Sequence, residues 1–195
     1  MDNPPVVQKL SMARYESKDI PSYLSAPEVS GMLEACKDNR RNHLLINVLW
    51  QTGARISEVL SLTRNDIDPH GSCIRIVTEK QKGKKNKTHR IIPIGPDLLS
   101  EILTYILDYH ITDRLFDFSR QRAWQIIKKT AIKAGITKPV HPHTLRHSFA
   151  IHLLSQGMPL PIIQRLLGHR SILTSMVYLK VTQQDAREFL SRVRF

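Results

Sequence analysis

Cysteine is nearly absent from this 195-residue chain: Cys36 and Cys73 stand alone, outside any Cys-x-x-Cys spacing. No disulfide framework organises such a chain, and two reduced thiols in a cytoplasmic protein are the expectation. Long apolar runs are missing too. The stretch 44–50 is far shorter than the roughly 20 residues a membrane helix needs. The start of the chain has no basic segment followed by an apolar one, so no export signal is expected. There is no Gly-x-x-x-x-Gly-Lys-Ser/Thr loop to cradle a nucleotide, and no obvious carboxylate cluster for metal-assisted hydrolysis. Acidic residues are scarce: 17 Asp and Glu face 29 Lys and Arg, giving a net charge of +12.

What is present then narrows the field. Hydrophobic residues make up 41% of the chain, enough for one packed domain of ordinary size. Charge of one sign in such excess predicts a polyanionic partner, with nucleic acid first and acidic lipid second.

The chain opens with an arm, residues 1–23, that holds Pro4, Pro5 and Pro21 and little apolar periodicity. Ser25-Ala-Pro-Glu28 is a capping box with proline in the first turn, so a helix begins there with Val29, Met32, Leu33 and Cys36 as its buried stripe. A second helix is predicted over 41–52, stopped by Gly53, and a short third over 55–62. The period then changes to that of strands at 73–78 and 89–94. The loop between them, 79–87, carries five lysines, and so reads as a hairpin with a basic tip able to reach a phosphate backbone. Helices resume at 96–109, 120–134, 143–156, 159–167 and 172–181, with a last amphipathic stretch at 184–193. The expected fold class is mostly α with a small antiparallel β-sheet, that is, α+β.

Three short segments carry chemistry. Pro142 favours a helix start, and His143 and Arg146, three apart, then share one face. One turn thus offers an imidazole and a guanidinium to the same ligand, and a guanidinium matches phosphate oxygens bidentately. Gly168 ends a helix, setting His169 on a turn, with Tyr178 nine residues on. Thr52-Gly-Ala-Arg55-Ile-Ser-Glu58 places an arginine just after a tight turn, with Glu58 as a ready i,i+3 partner.

Taken in this order and spacing, these segments resemble the tyrosine recombinases, the family of phage integrases and Xer-type resolvases. Gly-Ala-Arg55-x-Ser-Glu58 looks like the family's first arginine box. His143-Thr-Leu-Arg146-His147-Ser-Phe-Ala, then Leu166-Leu-Gly-His169 and Tyr178, look like its second box and nucleophile. The resemblance runs from about Leu24 to Tyr178. It implies the tyrosine recombinase catalytic-domain fold over 24–182, and a C-terminal helix at 183–195 that docks on a neighbouring protomer. By the same resemblance, Arg55 and Arg146 clamp the scissile phosphate, His143 acts as general acid–base and His169 hydrogen-bonds the phosphate. Tyr178 attacks phosphorus, leaving a 3′-phosphotyrosine and a free 5′-hydroxyl, and a hairpin lysine protonates the leaving oxygen. Counting forward from the strand favours Lys80; counting back from Arg90 favours Lys84 or Lys85, and Lys82 stays open. No cofactor or metal is implied. The partners implied are double-stranded DNA, three further copies in a homo-tetramer on paired sites, and accessory DNA-binding proteins, with no membrane.

The chemistry fits those roles. A phenol is a poor nucleophile at neutral pH and needs a base or a strong positive field. Two guanidinium groups supply that field and stabilise charge developing on phosphorus. An alkoxide leaves poorly, so a proton donor there is worth about 10²–10⁴-fold. Within the family, members usually carry a further N-terminal helical domain, whereas 23 residues precede the catalytic-type segment here. Three competing readings share these residues: a type IB topoisomerase-like relaxing enzyme, a DNA-binding regulator without turnover, and a metallohydrolase using His141, His143, His147 and His169. His147 is read as a helix support, and His89, His110 and His152 as surface or satisfied histidines.

Overall fold

In the computed structural model, residues 22–78 and 88–168 are described. Seven α-helices and one three-stranded sheet make up this part. Helix α1, Ala26–Ala35, starts on the expected capping box: Glu28 N–H donates to Ser25 Oγ, and Ser25 N–H donates to Glu28 Oε2 at 2.7 Å. Helix α2, Arg40–Thr52, is capped by Asn39 and ends at Gly53 in the left-handed region, φ +58°. Its Leu44, Leu45, Ile46, Val48 and Leu49 are all buried. A helix apolar around most of its circumference belongs at the centre, and α2 packs against α1, α4, α5 and α6. Each such side chain contributes about 1.5–3 kcal/mol of burial.

Helix α3 is shorter than the sequence predicts, Ile56–Leu60, and a 3-10 turn follows at Arg64–Asp66. Strand β1, Ile67–Asp68, was not expected; it is only two residues long and gives no period to read. Strands β2, Cys73–Thr78, and β3, Thr88–Pro93, pair antiparallel with Ile76 opposite Arg90, and the sheet order is β1-β2-β3. Ile74, Ile76 and Ile92 face the core. Helices α4, Pro96–Asp108, and α5, Arg120–Lys133, match the expected spans within a residue at each end. Helix α6, Pro142–Ser155, crosses α2, and α7, Leu160–Leu167, lies against α6 and β3 and ends at Gly168, φ +65°. A smaller apolar cluster of Phe149, Ile151, Ile163 and Leu167 joins α6 to α7. Among the described residues no helix is long and apolar enough to cross a membrane. Residues 1–21 of the arm expected over 1–23, the hairpin tip expected at 79–87 and the helices expected at 172–181 and 184–193 lie outside the described residues.

Candidate active site

Three chain segments meet around the end of α2. Gly53 turns the backbone out of α2, so that Arg55 can cap α3. An added Cβ at Gly53 would come within 2.2 Å of Phe149 Cδ1, so the turn also packs directly on α6. From α6, Arg146 reaches across. Its side chain is buried, and its guanidinium donates to Gly53 O at 2.6 Å and Leu167 O at 2.5 Å. These are carbonyls at the C-terminal ends of α2 and α7, where helices leave acceptors unsatisfied and carry partial negative charge. One fork therefore ties the ends of two helices together and fixes its own plane.

Arg55 is held differently. Its backbone N–H donates to Glu58 Oε2 at 2.8 Å and its side chain to Glu58 Oε1 at 3.0 Å, while the side chain stays 38% exposed. The ion pair that the i,i+3 spacing allowed is thus present, and it steers the arginine while leaving it open to solvent. Glu58 itself is buried and carries a second guanidinium: Arg90 grips it through both terminal nitrogens, at 3.0 and 2.7 Å. Burial pushes the Glu58 carboxyl up, but the bonds and charges of Arg90 and Arg55 outweigh it and hold it below the ordinary value.

His143 occupies the second position of α6, just after Pro142, and reaches solvent. Its pKa is lowered by desolvation, then by the charges of His141, Arg146, Arg120 and Arg55. His143 and Arg146 stand one turn apart on α6, and Arg146 bonds Gly53 O two residues before Arg55, so the three share one electropositive neighbourhood. Arg120, exposed at the first position of α5, belongs to the same field. His147, half-buried one turn further along α6, is pushed down to about 4, chiefly by burial and then by His143, Arg146 and His141. His141 Nδ1 lies 3.1 Å from Thr144 Oγ1, and the His141 and His143 rings meet edge-on with centroids 6.4 Å apart. Among the described residues no group of three His, Cys, Asp or Glu could hold a metal ion.

The structure therefore brings together three of the residues singled out from sequence, Arg55, His143 and Arg146. His169, Tyr178, Lys80, Lys82, Lys84 and Lys85 lie outside the described residues. Sequence reading passed over Arg90 and Arg120. Arg90 did leave a signal: if Ile92 and Ile94 face inward on a strand, so does Arg90, and an inward arginine requires an anion.

Two guanidinium groups and an imidazole gathered beside the end of α2 form a cationic, hydrogen-bond-donating set whose chemistry suits a phosphate. Comparison with known proteins gives the family. The Phage integrase family model matches residues 22–185. A Resolvase of Escherichia coli is 35% identical over 211 residues, covering 92% of this chain and 80% of the relative. A Tyrosine recombinase XerD of Staphylococcus saprophyticus is 35% identical, covering 90% of this chain and 63% of that protein, so the chain spans less than two thirds of it. A crystal structure of XerA recombinase is similar with a TM-score of 0.77 at 30% identity, over 90% of this chain and 67% of that one. The helical layers and the small sheet thus have one source: the chain belongs to the phage integrase family, with the fold of a tyrosine recombinase catalytic domain.

Proposed function

We propose that this chain cleaves and rejoins DNA strands at specific sites through a covalent 3′-phosphotyrosine on Tyr178. The observation that carries this reading is the shared field of Arg55, Arg146 and His143, in which Arg146 is pinned between Gly53 O and Leu167 O. A scissile phosphodiester seated there presents its non-bridging oxygens to the two guanidinium groups, and the N-terminal end of α6 adds its own preference for an anion. His143, with its pKa lowered, is neutral at pH 7 and can accept the phenol proton. Tyr178 Oη then bonds to phosphorus as the bond to the 5′ oxygen breaks, and Lys80 delivers a proton to that oxygen, with Lys82 and Lys84 as the other candidates. His169 hydrogen-bonds the same phosphate. The ester energy stays in the phosphotyrosyl bond, so rejoining by a 5′-hydroxyl runs the same steps backwards without ATP, metal or cofactor.

The net charge of +12 supports double-stranded DNA as the partner. Exchange between duplexes requires a homo-tetramer on paired sites, with the stretch 183–195 docking on a neighbour, accessory DNA-binding proteins assisting and the whole working in the cytoplasm on nucleoid or plasmid DNA. The test is to select the preferred site from a random duplex library, nick it beside the scissile bond so that rejoining fails, and look in EDTA for DNA that stays attached to protein on a denaturing gel. Adduct formation in EDTA separates this reading from the histidine metallohydrolase. Tight binding without adduct favours the DNA-binding regulator.

A further inference from the structure

Arg90 is an odd residue for its position. It sits inside β3 opposite Ile76, one inward step from Ile92, and its side chain is only 9% exposed. A buried guanidinium is costly unless several bonds compensate it. Here they join three parts of the fold. Both terminal nitrogens grip Glu58 on α3, at 3.0 and 2.7 Å, and Nε donates to Leu166 O at the end of α7 at 2.7 Å. Glu58 in turn holds the backbone and side chain of Arg55. The adjoining carbonyl, Leu167 O, takes its bond from Arg146. The last turn of α7 is therefore held from two sides by two arginines, each connected to one half of the phosphate clamp. Gly168 leaves room for this: a Cβ there would stand 3.2 Å from the Arg90 guanidinium.

We propose that Arg90 is a positioning residue for strand cleavage, aligning Arg55 with the C-terminal end of α7. The proposal rests on the recombinase reading above. Arg90 touches no DNA in this scheme; it acts through Glu58 and the α7 carboxyl end. Because Arg90 lies near the start of β3, the same side chain also sets that end of the strand against Glu58 and, through it, Arg55. Lysine cannot replace it: an ammonium keeps the charge but loses the planar fork that spans Glu58 and Leu166 O at once.

The experiment compares wild type, Arg90→Gln, Arg90→Lys and Ile92→Val, the last as a control that loosens β3 without touching Glu58. Three quantities are read on the library-selected nicked duplex: the single-turnover rate of adduct formation at saturating protein, the DNA dissociation constant, and the thermal midpoint. With Arg90→Gln we expect cleavage slowed by about 10²-fold while DNA affinity stays within about threefold, since misplacement of a clamp acts on the chemical step. Arg90→Lys should recover only a small part of the rate, and Ile92→Val should cleave like wild type well below its midpoint. Should Arg90→Gln fail to fold, Arg90→Lys decides the matter by the same two readouts. Wild-type cleavage rates in the Arg90 variants, or losses matched by Ile92→Val, overturn the positioning role and leave the recombinase reading intact. Absence of adduct in the wild type overturns that reading and this proposal together.

Discussion

Arg146 donates to the carbonyl of Gly53 at 2.6 Å, linking residues 93 apart in sequence and fixing the turn that leads to Arg55. One side chain thus belongs both to the proposed phosphate clamp and to the frame. Arg146→Lys keeps a positive charge but cannot reach Gly53 O and Leu167 O together. Cleavage should fall by about 10²–10³-fold, the usual cost of one oxyanion donor. The two deprived carbonyls should lower stability by about 1–3 kcal/mol. Adduct kinetics and urea unfolding on the same variant check both parts.

Two glycines should respond in opposite directions. At Gly53, φ is +58° and an added Cβ would overlap Phe149 and press on Leu167 Cδ2 at 3.0 Å, so Gly53→Ala combines overpacking with backbone strain. It should cost about 2–4 kcal/mol and shift the α2–α6 contact that sets Arg146. Gly31 lies inside α1 with nothing within 4 Å of a new Cβ. Gly31→Ala should stabilise the domain by about 0.5–1 kcal/mol. Thermal or urea unfolding of the two variants gives the comparison.

Acid should weaken the fold in a window set by His147. Unfolded, this imidazole takes up a proton near its ordinary value of 6.5; folded, it waits until about 4. Between those values the unfolded state binds more protons, so stability rises with pH and falls on acidification. His143, also lowered, adds a contribution of the same sign. The Glu58 and Asp66 carboxyls, both held low, lose their stabilising charge at more acidic pH still. In His147→Gln the decline of the unfolding midpoint between pH 6.5 and 4.5 should become shallower.

The rate should follow His143. With its pKa below the ordinary imidazole value, the neutral base persists under mildly acidic conditions. The acid limb of kcat/KM for cleavage, which reports the free enzyme, should lie below pH 6.5 and disappear in His143→Gln at a lower overall rate. A limb above pH 6.5 in the wild type contradicts the assignment of His143 as base.

Much of this architecture was legible because its signals are local. Ser25 and Glu28 announce α1, Gly53 stops α2, and Pro142 starts α6 with His143 and Arg146 one turn apart. Contacts made across the chain were not legible. Glu58 offers itself to Arg55 by spacing alone, yet its second partner, Arg90, lies 32 residues away and is found only once β3 has paired with β2. Ser148 reads as an unremarkable neighbour of His147, yet it is buried, accepts from Leu24 N–H at 2.7 Å and donates to Thr144 O, fastening the start of the described chain to α6. Strand β1 escaped because two residues carry no period. The hairpin leaves its lysine ambiguous for a related reason: Lys80 and Lys84 are reached by counting from opposite strands, and loop length, not pattern, decides between them.

The central claim is that Tyr178 is the nucleophile. The most direct measurement incubates wild type and Tyr178→Phe with the nicked, library-selected duplex in EDTA and resolves the products on a denaturing gel. The account predicts a protein–DNA adduct in the wild type, none in Tyr178→Phe, and similar DNA affinity in both. An adduct that survives Tyr178→Phe would contradict it and assign the nucleophile to another side chain.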